Sequence, residues 1–255
     1  MRSLVHSSRS VSGYIICLAL MLVFALSVPT FAFAAGTGDN PTLTEDVLTP
    51  AEAAKKARLE AQPIGRPSDG GSGDIAPAVV DAPYKFLYTP SHKQERTYWC
   101  GPATVQVIDD YIGAFNAQST YASYMGTTQD GTDFTLVDDA LRNYSGKSYY
   151  YYGNLTESGF NTKVSDTLMN HLQPLAADVN IVASVWPNYN YNHSGHIIPI
   201  EAFDWRYMTI RINDVYNEAD NYSGGGNTYG HTTYSQSVIW NGVYNHFRRA
   251  VVSAP

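Results

Sequence analysis

Tyr98-Trp99-Cys100-Gly101-Pro102-Ala103-Thr104 places a thiol at the mouth of a helix. Val105, Ile108 and Ile112 follow at helical spacing, and Gly113 supplies a stop, so the apolar period begins directly behind Cys100. Proline is tolerated there because an N–H in the first turn has no intrahelical partner to lose. A cysteine at this position sits among unpaired N–H groups at the positive end of the helix dipole, which favour thiolate over thiol. Gly101 leaves room for another molecule to approach. The bland alternative is a buried structural cysteine beside a helix start.

The cysteine count bears on that choice. The chain has two cysteines, and Cys17 lies in an apolar run from Tyr14 to Val28. Arg2 and Arg9 precede the run, and Ala32-Phe33-Ala34 gives the small-x-small pattern of a signal-peptidase site. About fifteen apolar residues fall short of the roughly 20 needed to span a bilayer. Cleavage after Ala34 would remove Cys17 together with both arginines and take the net charge from −7 to −9. The remaining chain would carry one thiol and no internal disulfide. In an exported protein such a cysteine is either reactive or an intermolecular link. The acidic balance and the absence of a basic run disfavour nucleic acid and anionic membrane as partners. No stable membrane insertion is expected once the signal is removed.

Working outward, residues 1–34 read as the export signal and residues 35–83 as a spacer, a tether or a pro-region. Pro67-Ser68-Asp69-Gly70-Gly71-Ser72-Gly73-Asp74 is a flexible composition. A short helix is expected from Pro50 to Gln62, capped by Thr49. The folded domain is expected over 84–255. A second helix should follow Thr132-Asp133, turning Leu136, Val137, Ala140, Leu141 and Tyr144 inward. A third should run from Thr162 to Leu172, carrying Val164, Leu168 and Leu172. Beyond Pro174 the pattern turns to strands. Val179, Ile181, Ala183 and Val185 alternate with more polar neighbours. Residues 196–204 and 207–214 form a hairpin about Asp204-Trp205-Arg206, with Met208, Ile210 and Ile212 on one face. Pro199 calls for an edge position or a bulge. Residues 217–231 read as loop, and an amphipathic element over 239–247 closes the chain. Helices first and an antiparallel sheet afterwards make an α+β layout.

Further residues join Cys100. Gln94, six residues earlier, can donate a side-chain N–H to an oxyanion beside the Cys100 backbone N–H. Of seven histidines, His196 is best placed, since Gly195-His196 opens an apolar strand at a cleft edge, whereas His193 reads as polar loop. The second strand of the hairpin returns Asn213-Asp214 beside His196, where either residue can accept from its Nδ1–H and fix the ring. Tyrosines and asparagines at 149–154 and 187–193 are candidates for cleft lining.

This order of Gln94, Trp99-Cys100-Gly101-Pro102-Ala103, Gly195-His196 and Asn213-Asp214 resembles the papain-like cysteine peptidases related to the double-glycine leader (bacteriocin-processing) peptidases. Met125-Gly126-Thr127-Thr128 with Gly131-Thr132, and the helix ending Leu141-Arg142-Asn143-Tyr144, look like that group's exported stand-alone branch. The resemblance covers about residues 84–250. It implies a papain-like fold in which N-terminal helices pack on an antiparallel sheet. It also implies that Cys100 attacks, His196 is the base, Asp214 orients it and Gln94 lines the oxyanion hole. The activity implied is a secreted hydrolase cutting peptide or amide bonds through a thioester acyl-enzyme, acting on a peptide or protein with no cofactor and no metal. Two departures stand out: Val215 follows Asp214 where proline is usual, which keeps Asn213 open, and Pro199 interrupts the strand after His196. No fused transporter or nucleotide-binding segment is present, so leader processing during export is not the expected role. An acyltransferase using the same residues, or a non-catalytic module binding peptide or cell-wall material, are the competing functions. Neither a His-Glu-x-x-His pattern nor paired cysteines point to zinc, and no Gly-x-Ser-x-Gly elbow points to a serine hydrolase.

Overall fold

The structure is a computed structural model that describes residues 83–255. The expected signal, residues 35–82 of the spacer and the helix at 50–62 lie outside the described residues. The chain opens with β1 (Tyr84–Phe86) and crosses a loop to α1 (Cys100–Ile112) and α2 (Gln118–Tyr124). A 3-10 turn (Phe134–Leu136) leads into α3 (Val137–Ser145), followed by β2 (Tyr150–Tyr152) and α4 (Glu157–Met169). Then come β3 (Leu175–Ile181), β4 (His193–Asp204), β5 (Thr209–Asp214), β6 (Gly230–Ser235), α5 (Gln236–Asn245) and β7 (Val251–Ser253). The α+β layout is thus the one expected.

The described strands form one seven-stranded antiparallel sheet in the order β2-β7-β3-β4-β5-β6, with β1 paired to the far end of β4. Both of its faces are apolar, and period-two alternation divides them. Ala176, Ile197 and Val252 face a cluster built with Val105, Ile108, Leu141 and Cys100 from α1 and α3. Ala177, Ile198 and Val251 face the opposite cluster, built with Phe160, Val164 and Leu168 of α4 and Ile239 and Val243 of α5. Helices therefore cover the sheet on both sides.

Several elements differ from the sequence reading for identifiable reasons. Helix α4 begins five residues earlier than expected, because Thr156 caps it by accepting from the Gly159 N–H at 3.1 Å. It ends at Met169, so Leu172 leaves the inward stripe, takes φ +53° and stands exposed. Strand β3 stops at Ile181, and the segment that follows turns at Val182–Trp186 where alternation had extended the strand to Val185. Met208 turns the hairpin with φ +48° and is exposed, leaving Ile210 and Ile212 as the buried pair. Strand β6 begins at the end of the stretch read as loop, with Thr232 half-buried and Thr233 exposed at the sheet margin. Strands β1, β2 and β7 have three residues each, too short to show a period. Pro199 lies inside β4, opposite Ala176 of β3, one residue before pairing with β5 begins at Ile200 and next to a bulge between Ile200 and Ala202. Its missing N–H therefore costs no ladder bond on the β5 side.

Candidate active site

Helix α1 carries Cys100 as its first residue and ends at Gly113, whose φ of +91° supplies the left-handed cap. Thr104, one turn beyond Cys100 on the same face, donates its hydroxyl to the Ile197 carbonyl at 2.9 Å. That bond docks the start of α1 on β4 at the residue after His196. Gly101 has a different task from the one expected. A Cβ there would lie 2.5 Å from Thr132 Oγ1 and 2.7 Å from its Cβ, so the glycine admits Thr132 to the helix mouth and leaves no space for an incoming molecule. Thr132 is in turn held by Thr127, hydroxyl to hydroxyl at 2.8 Å, across a Thr128–Gly131 bridge. The Met125–Thr132 stretch singled out in the sequence is thus a buttress for α1.

His196 is wholly buried at the second pair from the end of the β3–β4 ladder, opposite Val179. Its Nε2 stands 2.9 Å from Asp214 Oδ1. The contact uses the other ring nitrogen from the one expected. Burial works against the imidazolium, yet the Asp214 carboxylate beside it and a hydrogen bond with Cys100 outweigh that and hold the ring's pKa well above the usual histidine value. Cys100, His196 and Asp214 are therefore joined in a line. Cys100 is wholly buried within the helix-side core and touches His196 at the same time.

Asp214 and Asn213 are separated by strand alternation. Asp214 faces His196, and its Oδ1 also accepts from the Tyr216 N–H at 3.0 Å. Asn213 points to the other face, where Nδ2 donates to Thr89 Oγ1 at 2.9 Å and Oδ1 accepts from Ser91 at 2.8 Å. Asn213 thus ties down the chain leading to Cys100 and does not reach His196. Val215, where proline was the pattern, accepts at its carbonyl from the Gln94 N–H at 2.8 Å, so the residue after Asp214 anchors Gln94. The Gln94 amide donates through Nε2 to the Arg96 carbonyl at 2.9 Å, which leaves a second N–H on the same nitrogen. Its Oε1 is buried with no hydrogen-bond partner among the described residues.

A cavity of about 340 Å³ adjoins Gln94 and is lined by Arg96, Tyr98, Tyr216, Asn217 and Asp220. Lys93 and Asp220, 2.8 Å apart, bridge its rim. A larger depression of about 990 Å³ runs along α4, and none of the four residues above borders it. Among the described residues no group of His, Cys, Asp and Glu is arranged to hold a metal ion.

Two features escaped the sequence reading. His193 belongs to β4, not to a polar loop; it is buried, and its Nε2 lies 2.9 Å from Glu218, itself wholly buried. On the opposite face, His231 Nδ1 lies 2.7 Å from Glu201 and its Nε2 lies 3.3 Å from Ser91 Oγ. This trio lacks the state of a nucleophile: Ser91 donates to Asn213 at the shorter distance, and Glu201 is shared with Arg211 and Thr89. It fastens the 87–91 segment to the sheet. Tyr149 and Tyr189, expected as cleft lining, are buried; Tyr149 donates to the Pro174 carbonyl and Tyr189 to Asp214.

Comparison with known families places the match on this same segment. The Peptidase_C39 like family matches residues 86–246. Curated proteins give no significant match. Among solved structures, a double glycine motif protease from an AMS/PCAT transporter, in complex with its leader peptide, aligns at 16% identity. That alignment covers 66% of this chain and 92% of that one, with a TM-score of 0.44. The peptidase domain of Streptococcus ComA, a bifunctional ABC transporter of a quorum-sensing pathway, aligns at 12% identity over 66% of this chain and 100% of that one, TM-score 0.45. Xylellain, a cysteine protease from Xylella fastidiosa, aligns at 8% identity over 72% of this chain and 90% of that one, TM-score 0.44.

Proposed function

The chain belongs to the Peptidase C39-like family of cysteine peptidases with a papain-like fold, and from that premise we propose that it is a secreted enzyme cutting peptide bonds through a thioester acyl-enzyme. The observation that carries this reading is the buried line Cys100–His196–Asp214, in which Asp214 and Cys100 raise the pKa of His196 against the effect of burial.

Cys100 Sγ, as thiolate, attacks the scissile carbonyl carbon. The oxyanion takes hydrogen bonds from the Cys100 backbone N–H and from the second N–H of Gln94 Nε2. As the C–N bond breaks, the imidazolium of His196 gives its Nδ1 proton to the leaving amine, and a thioester remains. Water then attacks the thioester carbonyl and yields its proton to Nδ1, and Sγ departs as thiolate. Asp214 holds Nε2–H throughout and so keeps Nδ1 aimed at the reacting atoms. The cavity beside Gln94 receives substrate residues next to the cut bond.

The test is digestion of a peptide library by wild type and Cys100→Ala, with products read by mass spectrometry. Cleavage by wild type alone is expected, and added hydroxylamine should divert the acyl group to a hydroxamate. Equal cleavage by both proteins, or by neither, would sink the reading. Export rests on the apolar run and on Ala32-Phe33-Ala34. Secreted protein should begin at Ala35 by N-terminal sequencing, and a start well removed from it would count against that part. Among the described residues no helix is long and apolar enough to cross a membrane.

A further inference from the structure

Asp214 has two carboxylate oxygens, and the proposed mechanism uses only one of them. The second, Oδ2, accepts a hydrogen bond from the Tyr189 hydroxyl at 2.5 Å, both groups being buried. We propose that Tyr189 is a positioning residue for this site, fixing the Asp214 carboxylate so that its other oxygen stays on His196 Nε2. This inference rests on the peptidase reading of Cys100, His196 and Asp214.

The contact is of the strong type, since an O–H donated to an ionised carboxylate is short and about twice as strong as a neutral bond. A buried phenol needs an acceptor, and a backbone carbonyl serves that need for Tyr149 elsewhere in the domain. Tyr189 takes the carboxylate that faces the reacting histidine instead. With Oδ1 bonded to His196 and to the Tyr216 N–H, and Oδ2 to Tyr189, the carboxylate cannot turn about its terminal bond without breaking a bond.

Tyr189 is itself held in place. Its ring stands edge-on to Trp186 and to His193, at centroid separations of 6.0 and 5.4 Å. The next two backbone N–H groups, of Asn190 and Tyr191, donate to the two oxygens of buried Glu218 at 2.8 and 2.9 Å. Glu218 also takes the Gly226 N–H and His193, and burial, which opposes its charge, is outweighed by these donors, so its carboxyl lies below the ordinary range. The loop after β5 therefore grips the loop before β4, and the phenol is delivered to Asp214 as a consequence.

Tyr189→Phe removes one oxygen and keeps the ring. Its kcat on a cleaved peptide should fall about tenfold with KM unchanged, and its melting temperature should stay close to that of Tyr149→Phe, which also loses a buried phenol hydroxyl. Separately, histidine NMR reads His196 whether or not any peptide is cut. Once Asp214 is free to turn, it supports the imidazolium less, so the His196 titration midpoint should move to lower pH and Nε2–H should exchange faster with water. Tyr149→Phe should move neither. An unchanged kcat and an unchanged His196 titration in Tyr189→Phe would overturn the proposal and leave Tyr189 as core filling. If wild type cleaves nothing, the peptidase reading fails, and the NMR comparison still decides whether Tyr189 positions Asp214.

Discussion

His196 is a wholly buried base whose charge depends on its neighbours, and its pH behaviour follows from that. Its pKa lies above the usual 6.5 because the Asp214 and Cys100 contributions exceed the burial cost. The imidazolium therefore persists above pH 6.5, and activity that needs it should fall only as pH rises through the raised value. Asp214→Asn removes the largest favourable contribution, so the basic limb of kcat/KM should move to lower pH and kcat should drop by about 10² or more. The stability that this pair contributes is full below pH 6.5 and fades as pH rises through the folded value. Asn213→Ala should lower the melting temperature through the lost Thr89 and Ser91 bonds and leave the pH profile in place. The reverse ranking of these two variants would move the orienting role to Asn213. Asp109, buried on α1, behaves in the opposite way to a paired acid: burial pushes its carboxyl from 3.8 up to about 7, and the lowering influence of nearby Tyr121 does not offset it. Between those values the folded form keeps a proton that the unfolded chain has lost, so stability falls as pH rises across that window. Three units at about 1.4 kcal/mol each put the loss on the order of 4 kcal/mol. Asp109→Asn should accordingly raise the melting temperature at pH 8 and change it little at pH 4.

Helix α1 must meet β4 at one place for the thiol to reach the imidazole, and two contacts set it: Thr104 on the Ile197 carbonyl and Thr132 packed on Gly101. Gly101→Ala forces a methyl group against Thr132, and overpacking of a closed contact typically costs about 1–3 kcal/mol. Denaturant unfolding should show that loss, and kcat should fall with it because Cys100 begins the same turn. Adding Thr132→Ala removes the hydroxyl and methyl contacts but keeps the Cβ at 2.7 Å, so recovery should be partial. Full activity in Gly101→Ala would mean the helix start tolerates displacement. Helices α4 and α5 lie on the opposite face of the sheet, so changes at Val164 or Ile239 should affect stability with little effect on the order of the site residues.

At the scale of the molecule, the sheet joins the two sides of the site. Cys100 comes from the helix layer, His196 from the central strand, and Asp214 from the end of its neighbour. Gln94 arrives on a loop pinned to Val215. The segment from Leu87 to Ser91 is laced to the sheet through Glu201, His231 and Asn213. Limited proteolysis of the full chain should therefore yield a resistant fragment beginning near residue 84 that retains the Cys100–His196 pair. A pro-region is the alternative to a spacer for residues 35–83. It would show itself as a sharp rise in activity when the segment is removed, whereas a spacer would leave kcat/KM unchanged.

Local rules settled part of this protein from its sequence. The helix behind Cys100, its Gly113 stop and the hairpin returning Asp214 to His196 follow from period, caps and turn chemistry, which act over a few residues. The three-residue strands could not be read that way, because two or three positions display no alternation and their pairing comes from distant chain. Leu172 and Met208 look apolar and periodic, yet both fall where the backbone turns with positive φ, a property of the surrounding packing. Which of Asp214 and Asn213 lies against His196 was open in the sequence, and the sheet puts Asp214 there, since adjacent residues of a strand face opposite sides. Which nitrogen of His196 meets the carboxylate, why Gly101 is a glycine, and why the Tyr189 hydroxyl reaches Asp214 were likewise decided by the tertiary structure. Each depends on contacts between residues far apart in the chain, such as Gly101 with Thr132 and Tyr189 with Asp214, and sequence spacing carries no signal for such a distance.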